Sequence, residues 1–157
     1  MLLDTSGLLC LHYKTEPLHT QARSEYKKAL FLLTHNYIIA EYVALANARR
    51  FPRSSVLAFV VDLLNNPAIE TIWIDEPLHR EAVELLTVRQ DKTYSLCDSV
   101  SFVLMRQRGM TEALVVQKTF HSLKMRRGSH GRTQSGSGTP LAFSRKQKLE
   151  EDSVEAG

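Results

Sequence analysis

Cysteine is scarce in this chain of 157 residues, and its two cysteines lack the Cys-x-x-Cys spacing of zinc and redox sites. Cys10 and Cys97 stand in apolar stretches, and we interpret both as reduced thiols of the core. No apolar run approaches the roughly 20 residues that a membrane span needs. The leucine-rich start lacks the basic residues that begin a secretory signal. We therefore expect a cytoplasmic protein that has no membrane segment.

Motifs of several enzyme classes are also missing. The chain contains neither GxGxxG nor GxxxxGK[ST], so the sequence predicts no dinucleotide site and no P-loop. It has no Gly-x-Ser-x-Gly nucleophile elbow. Its six histidines show no metal-ligand spacing, and we expect them to be structural or exposed to solvent. A function, if the sequence reveals one, must come from other residue types.

The excess of basic over acidic side chains is confined to the end of the chain. Residues 1–120 contain 13 basic and 13 acidic side chains, whereas residues 121–157 contain 7 basic and 4 acidic ones and five of the seven glycines. We predict a folded domain over residues 1–120 and a disordered, basic, Gly/Ser-rich tail over residues 121–157. The net charge of +3 therefore describes the tail and does not by itself indicate that the domain binds nucleic acid.

Hydrophobic patterning predicts strands that alternate with helices. Helices are expected after Gly7, after Pro17 with an apolar period that runs to Leu33, and at 38–50, 54–65, 77–89 and 97–108; strands are expected at 1–4, 34–37, 69–75 and 112–116. This alternation is typical of an α/β fold with a mainly parallel sheet.

Three acids, Asp4, Glu41 and Asp98, are each the single charge of an apolar stretch. Burial of a lone carboxylate is costly. Asp4 ends the first strand, where open parallel sheets form their sites, and Asp98 begins a helix. If the three converge, a cation must compensate their charges, and oxygen ligands without His or Cys select Mg²⁺ or Mn²⁺. Such a metal can activate water at a phosphodiester, so the hypothesis is a metal-dependent nuclease.

Each acid also has a structural explanation. Ser95 and Asp98 form the S-x-x-D pattern of a capping box. Asp4 could cap the helix that follows it, and Glu41 could pair with Arg49. Residue spacing alone leaves these alternatives open.

Three segments, DTSGLL, THNYIIAEY and DKTYSLCDSVSFVLMRQRGMTEAL, resemble the PIN domain of VapC-type ribonucleases over residues 1–116. The resemblance implies a three-layer α/β/α sandwich, a Mg²⁺ or Mn²⁺ cofactor, cleavage of single-stranded RNA, a homodimer, and an antitoxin whose segment covers the active site. It places Asp4, Glu41 and Asp98 on the catalytic acids, with Asp4 and Asp98 as direct metal ligands. Ser6 falls on the hydroxyl that supports the first acid.

The sequence departs from the family pattern after EAL. Gln117 stands where the family has its fourth acid, and the expected final strand is missing. Asp91 could compensate, although a turn is its simpler role. Two hypotheses follow: an endoribonuclease whose metal site Gln117 weakens, or a catalytically impaired PIN-like scaffold that binds RNA or an antitoxin without turnover.

Overall fold

Five strands form one sheet in the computed structural model, which describes residues 1–117 and 142–144; residues 116, 117 and 142–144 are described by their backbone alone. The strand order is β3-β2-β1-β4-β5. Strands β1 to β4 run parallel to one another, and β5 runs antiparallel to β4. The strands are β1 Leu2–Leu3, β2 Leu32–His35, β3 Ile69–Ile72, β4 Ala113–Gln117 and β5 Ala142–Ser144.

Helices connect the parallel strands and flank the sheet, so the predicted α/β fold is confirmed. Within the described residues no helix is both long enough and apolar enough to traverse a bilayer. The helices are α1 Thr5–His12, α2 His19–Lys28, α3 Asn36–Ala48, α4 Arg53–Leu64, α5 Glu76–Val88 and α6 Leu96–Gln107.

The second helix is shorter than its apolar period predicts. It ends at Lys28, and Leu32 and Leu33 belong to β2, where both are buried. The amide of Leu33 donates to the carbonyl of Met1 at 3.1 Å. Strand pairing with β1 therefore places these leucines in the sheet, because this tertiary contact outweighs the local preference for a helix.

Gly7 lets α1 approach β4 directly. A Cβ atom at Gly7 would lie 2.2 Å from the carbonyl oxygen of Leu114, which is far inside van der Waals contact. Leu114 is itself fully buried. The missing side chain thus fixes how closely the helix that follows Asp4 lies on the sheet.

The predicted absence of a final strand is wrong. Ala142–Ser144 pairs with β4, with Phe143 opposite Val116 and Ala142 opposite Gln117. Part of the segment expected to lie outside the fold therefore contributes an edge strand. The predicted boundary near residue 120 stays a prediction, and the other residues of the tail lie outside the described part of the chain.

Candidate active site

Asp4 lies at the point where the strand order reverses. The chain runs from β1 to β2 on one side of β1, while β4 flanks its other side, and such switch points open a crevice at the carboxyl ends of the strands. Asp4 follows β1 and is the N-cap of α1. Its Oδ2 atom accepts hydrogen bonds from the Ser6 hydroxyl at 3.0 Å and from the Ser6 amide at 3.4 Å. Ser6 therefore contacts the acid that the family resemblance assigns to it.

Thr5 links the second acid to the same strand end. Its hydroxyl donates to Oε2 of Glu41, which lies on α3. Thr5 is buried and directly follows Asp4. No local pattern in the sequence marks Thr5, because it lies 36 positions from Glu41 along the chain.

Asp98 closes the capping box that the S-x-x-D pattern predicted. Its Oδ2 atom accepts from the Ser95 amide at 2.8 Å and from the Ser95 hydroxyl at 2.9 Å, while the Asp98 amide donates to the Ser95 hydroxyl oxygen at 3.0 Å. Asp98 is the third residue of α6, where the helix dipole favours negative charge. The capping hydrogen bonds therefore fix the orientation of the Asp98 carboxylate, whether or not this carboxylate also binds a metal.

Cys97 reports on the convergence of the three acids. Its buried thiol has a raised pKa because of burial first, and then because of the charges of Glu41 and Asp4, a hydrogen bond with Glu41, and the charge of Asp98. All three carboxylates thus lie close enough to act electrostatically on one sulfur atom. Cys97 and Cys10 are both free and buried, which agrees with the predicted reduced core thiols.

The environment of Asp4 disfavours ionisation of its carboxyl group. Burial raises the pKa of Asp4, and the charge of Asp98 raises it further, although hydrogen bonds from Ser6 and Thr5 act in the opposite direction. A cation would stabilise the ionised form of a carboxylate whose ionisation burial and a neighbouring charge disfavour.

The donor chemistry of this site suits a hard divalent cation, but its side chains do not form a closed metal cage. Across residues 1–117, no three His, Cys, Asp or Glu side chains are grouped closely enough to hold a metal ion. Thr5 and Ser95 each hold one carboxylate, and each contact uses only one of the two carboxylate oxygens. Carboxylate oxygens without nitrogen or sulfur ligands are nevertheless the donor set of Mg²⁺ and Mn²⁺, so the chemistry of these side chains fits such an ion.

Gln117 and Asp91 occupy different positions relative to the site. Gln117 ends β4, the neighbour of β1. Asp91 lies in the turn after α5 and pairs with Arg89 and Lys92, each at 3.5 Å. These contacts favour the turn role for Asp91 over compensation for a missing acid.

The buried side chain of His35 has a structural role near the site. His35 ends β2 and caps α3, with Nδ1 accepting from the Ile38 amide at 3.3 Å and Nε2 bonded to the Ser101 hydroxyl at 2.9 Å. Ser101 lies three residues after Asp98 on α6. His35 therefore joins α3, which carries Glu41, to α6, which carries Asp98.

The acids are not part of the cavity between α2 and α4. This cavity has a volume of about 230 Å³, and its lining combines apolar side chains with two basic and two polar ones and one acidic one: Leu3, Leu11, Arg23, Tyr26, Lys27, Phe59, Asp62, Leu63, Asn66 and Ile69. The candidate site is the group of acids at the carboxyl end of β1, and this cavity is separate from it.

Comparison with known proteins identifies the class that this fold and site define. The chain belongs to the PIN domain family, whose model matches residues 1–118. The predicted resemblance to VapC-type PIN domains is thus confirmed.

Individual relatives come from Mycobacterium tuberculosis. The chain is 27% identical over 121 residues to the 23S rRNA-specific endonuclease VapC20 of strains CDC 1551 / Oshkosh and ATCC 25618 / H37Rv, an alignment that covers 76% of this chain and 91% of the relative. The crystal structure of M. tuberculosis VapC20, described as a sarcin-ricin loop cleaving toxin, superimposes with a TM-score of 0.65. That superposition covers 71% of this chain and 85% of VapC20 at 24% identity, so it supports the fold.

Proposed function

We propose that this chain is an endoribonuclease of the VapC-like kind that hydrolyses phosphodiester bonds of RNA, with Asp4, Glu41 and Asp98 as its catalytic acids. The observation that carries the proposal is the meeting of acids at the carboxyl end of β1, where Asp4 follows the strand and the adjacent Thr5 holds the Glu41 carboxylate. The charges of Glu41, Asp4 and Asp98 all raise the pKa of the Cys97 thiol, which agrees with this arrangement. Membership of the PIN domain family supports it, as does the similarity to a relative named as a 23S rRNA-specific endonuclease.

We further propose Mg²⁺ or Mn²⁺ as the cofactor, with Asp4 and Asp98 as direct ligands. A bound metal of this kind would supply an activated water and charge stabilisation at the phosphodiester. Glu41 would help to hold the metal or orient the attacking water, and Thr5 would fix the Glu41 carboxylate. Ser6 would fix that of Asp4. Gln117 offers only a neutral amide at the fourth position, so we expect weaker metal binding than in a four-acid site.

A second candidate function is a catalytically impaired scaffold that binds RNA or an antitoxin. It is favoured by Gln117 and by the lack of a three-ligand grouping among the described side chains. Gln117→Asp separates the two functions. Increased Mn²⁺ affinity and increased RNA cleavage in this variant would identify an impaired enzyme, whereas no change in either would favour the scaffold.

The family resemblance also leads us to propose a homodimer in the cytoplasm and an antitoxin partner whose segment covers the active site. Size-exclusion chromatography with light scattering measures the mass of the chain in solution. A mass of two chains is expected, and a monomer at all concentrations would contradict the homodimer.

The proposed function is tested by metal binding and RNA cleavage together. Mn²⁺ should raise the thermal midpoint of the wild-type chain, because a ligand at about 100 times its dissociation constant stabilises a fold by roughly 2.7 kcal/mol. Asp98→Asn should lose most of this response and should not cleave single-stranded RNA. Asp75→Asn is the matched control, because Asp75 caps α5 through the Leu78 amide at 3.0 Å and is no part of the site. Undiminished cleavage by Asp98→Asn would refute the assignment.

A further inference from the structure

We propose that Tyr94 is a substrate-binding residue that stacks on a base of the RNA beside Asp98. The inference rests on the ribonuclease function proposed above and adds a residue that contacts the substrate through a base and not through its phosphates. Three observations carry it: the position of Tyr94 in the chain, the side chain that it contacts, and its exposure.

Tyr94 lies immediately before the capping box of α6. The next residue, Ser95, holds the Asp98 carboxylate with its amide at 2.8 Å and its hydroxyl at 2.9 Å. The backbone of Tyr94 is therefore tied, through one residue, to a proposed metal ligand. An RNA strand bound at Asp98 would therefore lie close to Tyr94.

The ring of Tyr94 contacts Phe102, which lies on α6. Their ring centroids are 4.8 Å apart and their planes form an angle of 73°, which is an edge-to-face contact. Phe102 follows Asp98 by four residues, so the two share one face of α6. Helical side chains lean toward the N-terminus, and Phe102 consequently leans over the turn that carries Asp98. Tyr94 thus rests beside that turn.

Exposure distinguishes Tyr94 from the aromatic residues of the core. Tyr94 is 38% exposed, whereas Tyr42 is completely buried. An edge-to-face contact with one neighbour leaves ring surface open to solvent while it restricts the orientation of the ring. Aromatic rings of this kind bind single-stranded nucleic acid, since every base presents a face for stacking irrespective of sequence.

Binding of two probes by the full chain tests the proposal. One probe is a short fluorescein-labelled single-stranded RNA, and the other is a labelled ribose–phosphate strand of equal length without bases. Anisotropy is measured with Ca²⁺ in place of Mg²⁺ or Mn²⁺, because Ca²⁺ also binds carboxylate oxygens and keeps the charges of the acids compensated. Gel electrophoresis checks that both probes stay intact. Tyr94→Ala and Tyr94→Leu should weaken binding of the RNA about tenfold, because stacking on one base is of this order. Tyr94→Phe and Tyr94→Trp should bind the RNA as the wild type does, and all variants should bind the abasic strand equally.

Phe31→Ala is the matched control. Phe31 is also an exposed aromatic residue, 48% exposed, but it precedes β2 and therefore lies at the amino end of the parallel sheet, opposite the carboxyl end that Asp4 follows. We expect Phe31→Ala to bind both probes as the wild type does. Far-UV circular dichroism and thermal unfolding check that each variant is folded.

Several results would overturn the stacking role. They are unchanged RNA binding by Tyr94→Ala, equal losses for the RNA and the abasic strand, and wild-type RNA binding by Tyr94→Leu, which keeps an apolar contact with Phe102 but has no aromatic face. A wild-type chain that binds neither probe would reject the RNA-binding site as a whole. Cleavage with Mn²⁺, measured separately, decides the catalytic proposal: a chain that binds RNA through Tyr94 but never cleaves it refutes catalysis alone.

Discussion

Acid should destabilise this fold through His35. Burial lowers the pKa of His35 to about 4 from an ordinary value of 6.5. Its ring is neutral in the folded protein, because Nδ1 accepts from the Ile38 amide and Nε2 is then left to donate to Ser101. A proton on Nδ1 would remove the acceptor for that amide and place a charge in a fully buried position.

The size and direction of the effect follow from these values. Between pH 6.5 and about 4 the unfolded chain binds a proton at His35 that the folded chain does not, so the free energy of unfolding falls as the pH falls through this window. The stabilisation is complete above pH 6.5, and the loss by pH 4 amounts to about 3 kcal/mol. That is a large share of the roughly 5–15 kcal/mol that keeps a typical domain folded.

Urea unfolding at a series of pH values, followed by circular dichroism, measures this loss. His35→Asn is the comparison, because asparagine can accept from the Ile38 amide as a helix cap but does not titrate in this range. The variant should be less stable at neutral pH and should lack the His35 contribution on acidification, so the two stability curves approach each other toward pH 4. Parallel curves would refute the assignment of the acid sensitivity to His35.

Three further substitutions test the packing and capping described above. Gly7→Ala should destabilise the fold by about 3 kcal/mol or more in urea unfolding, because its Cβ would lie 2.2 Å from the Leu114 carbonyl; a loss below about 1 kcal/mol would contradict so close an approach. Ser95→Ala should cost about 1 kcal/mol and weaken Mn²⁺ binding, since it releases the Asp98 carboxylate; unchanged metal affinity would show that capping does not orient this acid. Arg80→Ala should change the free energy of unfolding by less than about 0.5 kcal/mol, because the ion pair of Arg80 with Glu76 is largely exposed; a larger loss would show that this surface pair contributes more than such pairs usually do.

The order of strands and helices could be predicted from the sequence because it rests on local patterns. The β-branched run after Ile69 forms β3, and the apolar period around Ala82 forms α5. The extent of α2 could not be predicted, because Leu33 satisfies a helical period locally but pairs with β1 in the fold. Strand β5 could not be predicted either, because 24 residues separate it from the end of β4 and it lies in a Gly/Ser-rich segment.

The acids of the site could be selected from the sequence, but not the contacts that hold them. Glu41 could be selected because it is the single charge of an apolar segment. Its hydroxyl partner Thr5 lies far from it along the chain, and no sequence pattern links the two residues. For Asp98 the sequence left a cap and a metal ligand as alternatives. The capping box is present, and the carboxylate also acts on Asp4, so the two roles need not exclude each other.

The double contact of Ser95 with a single carboxylate oxygen ties the start of a helix to the orientation of a reactive group. Folding of α6 aims this side chain before any ligand arrives, so little orientational freedom remains to be lost on binding. Removal of the Asp98 carboxyl group would therefore destabilise the start of α6 as well as remove the proposed metal ligand. Asp98→Asn, whose side chain can still accept from the Ser95 amide, separates these two effects better than Asp98→Ala does.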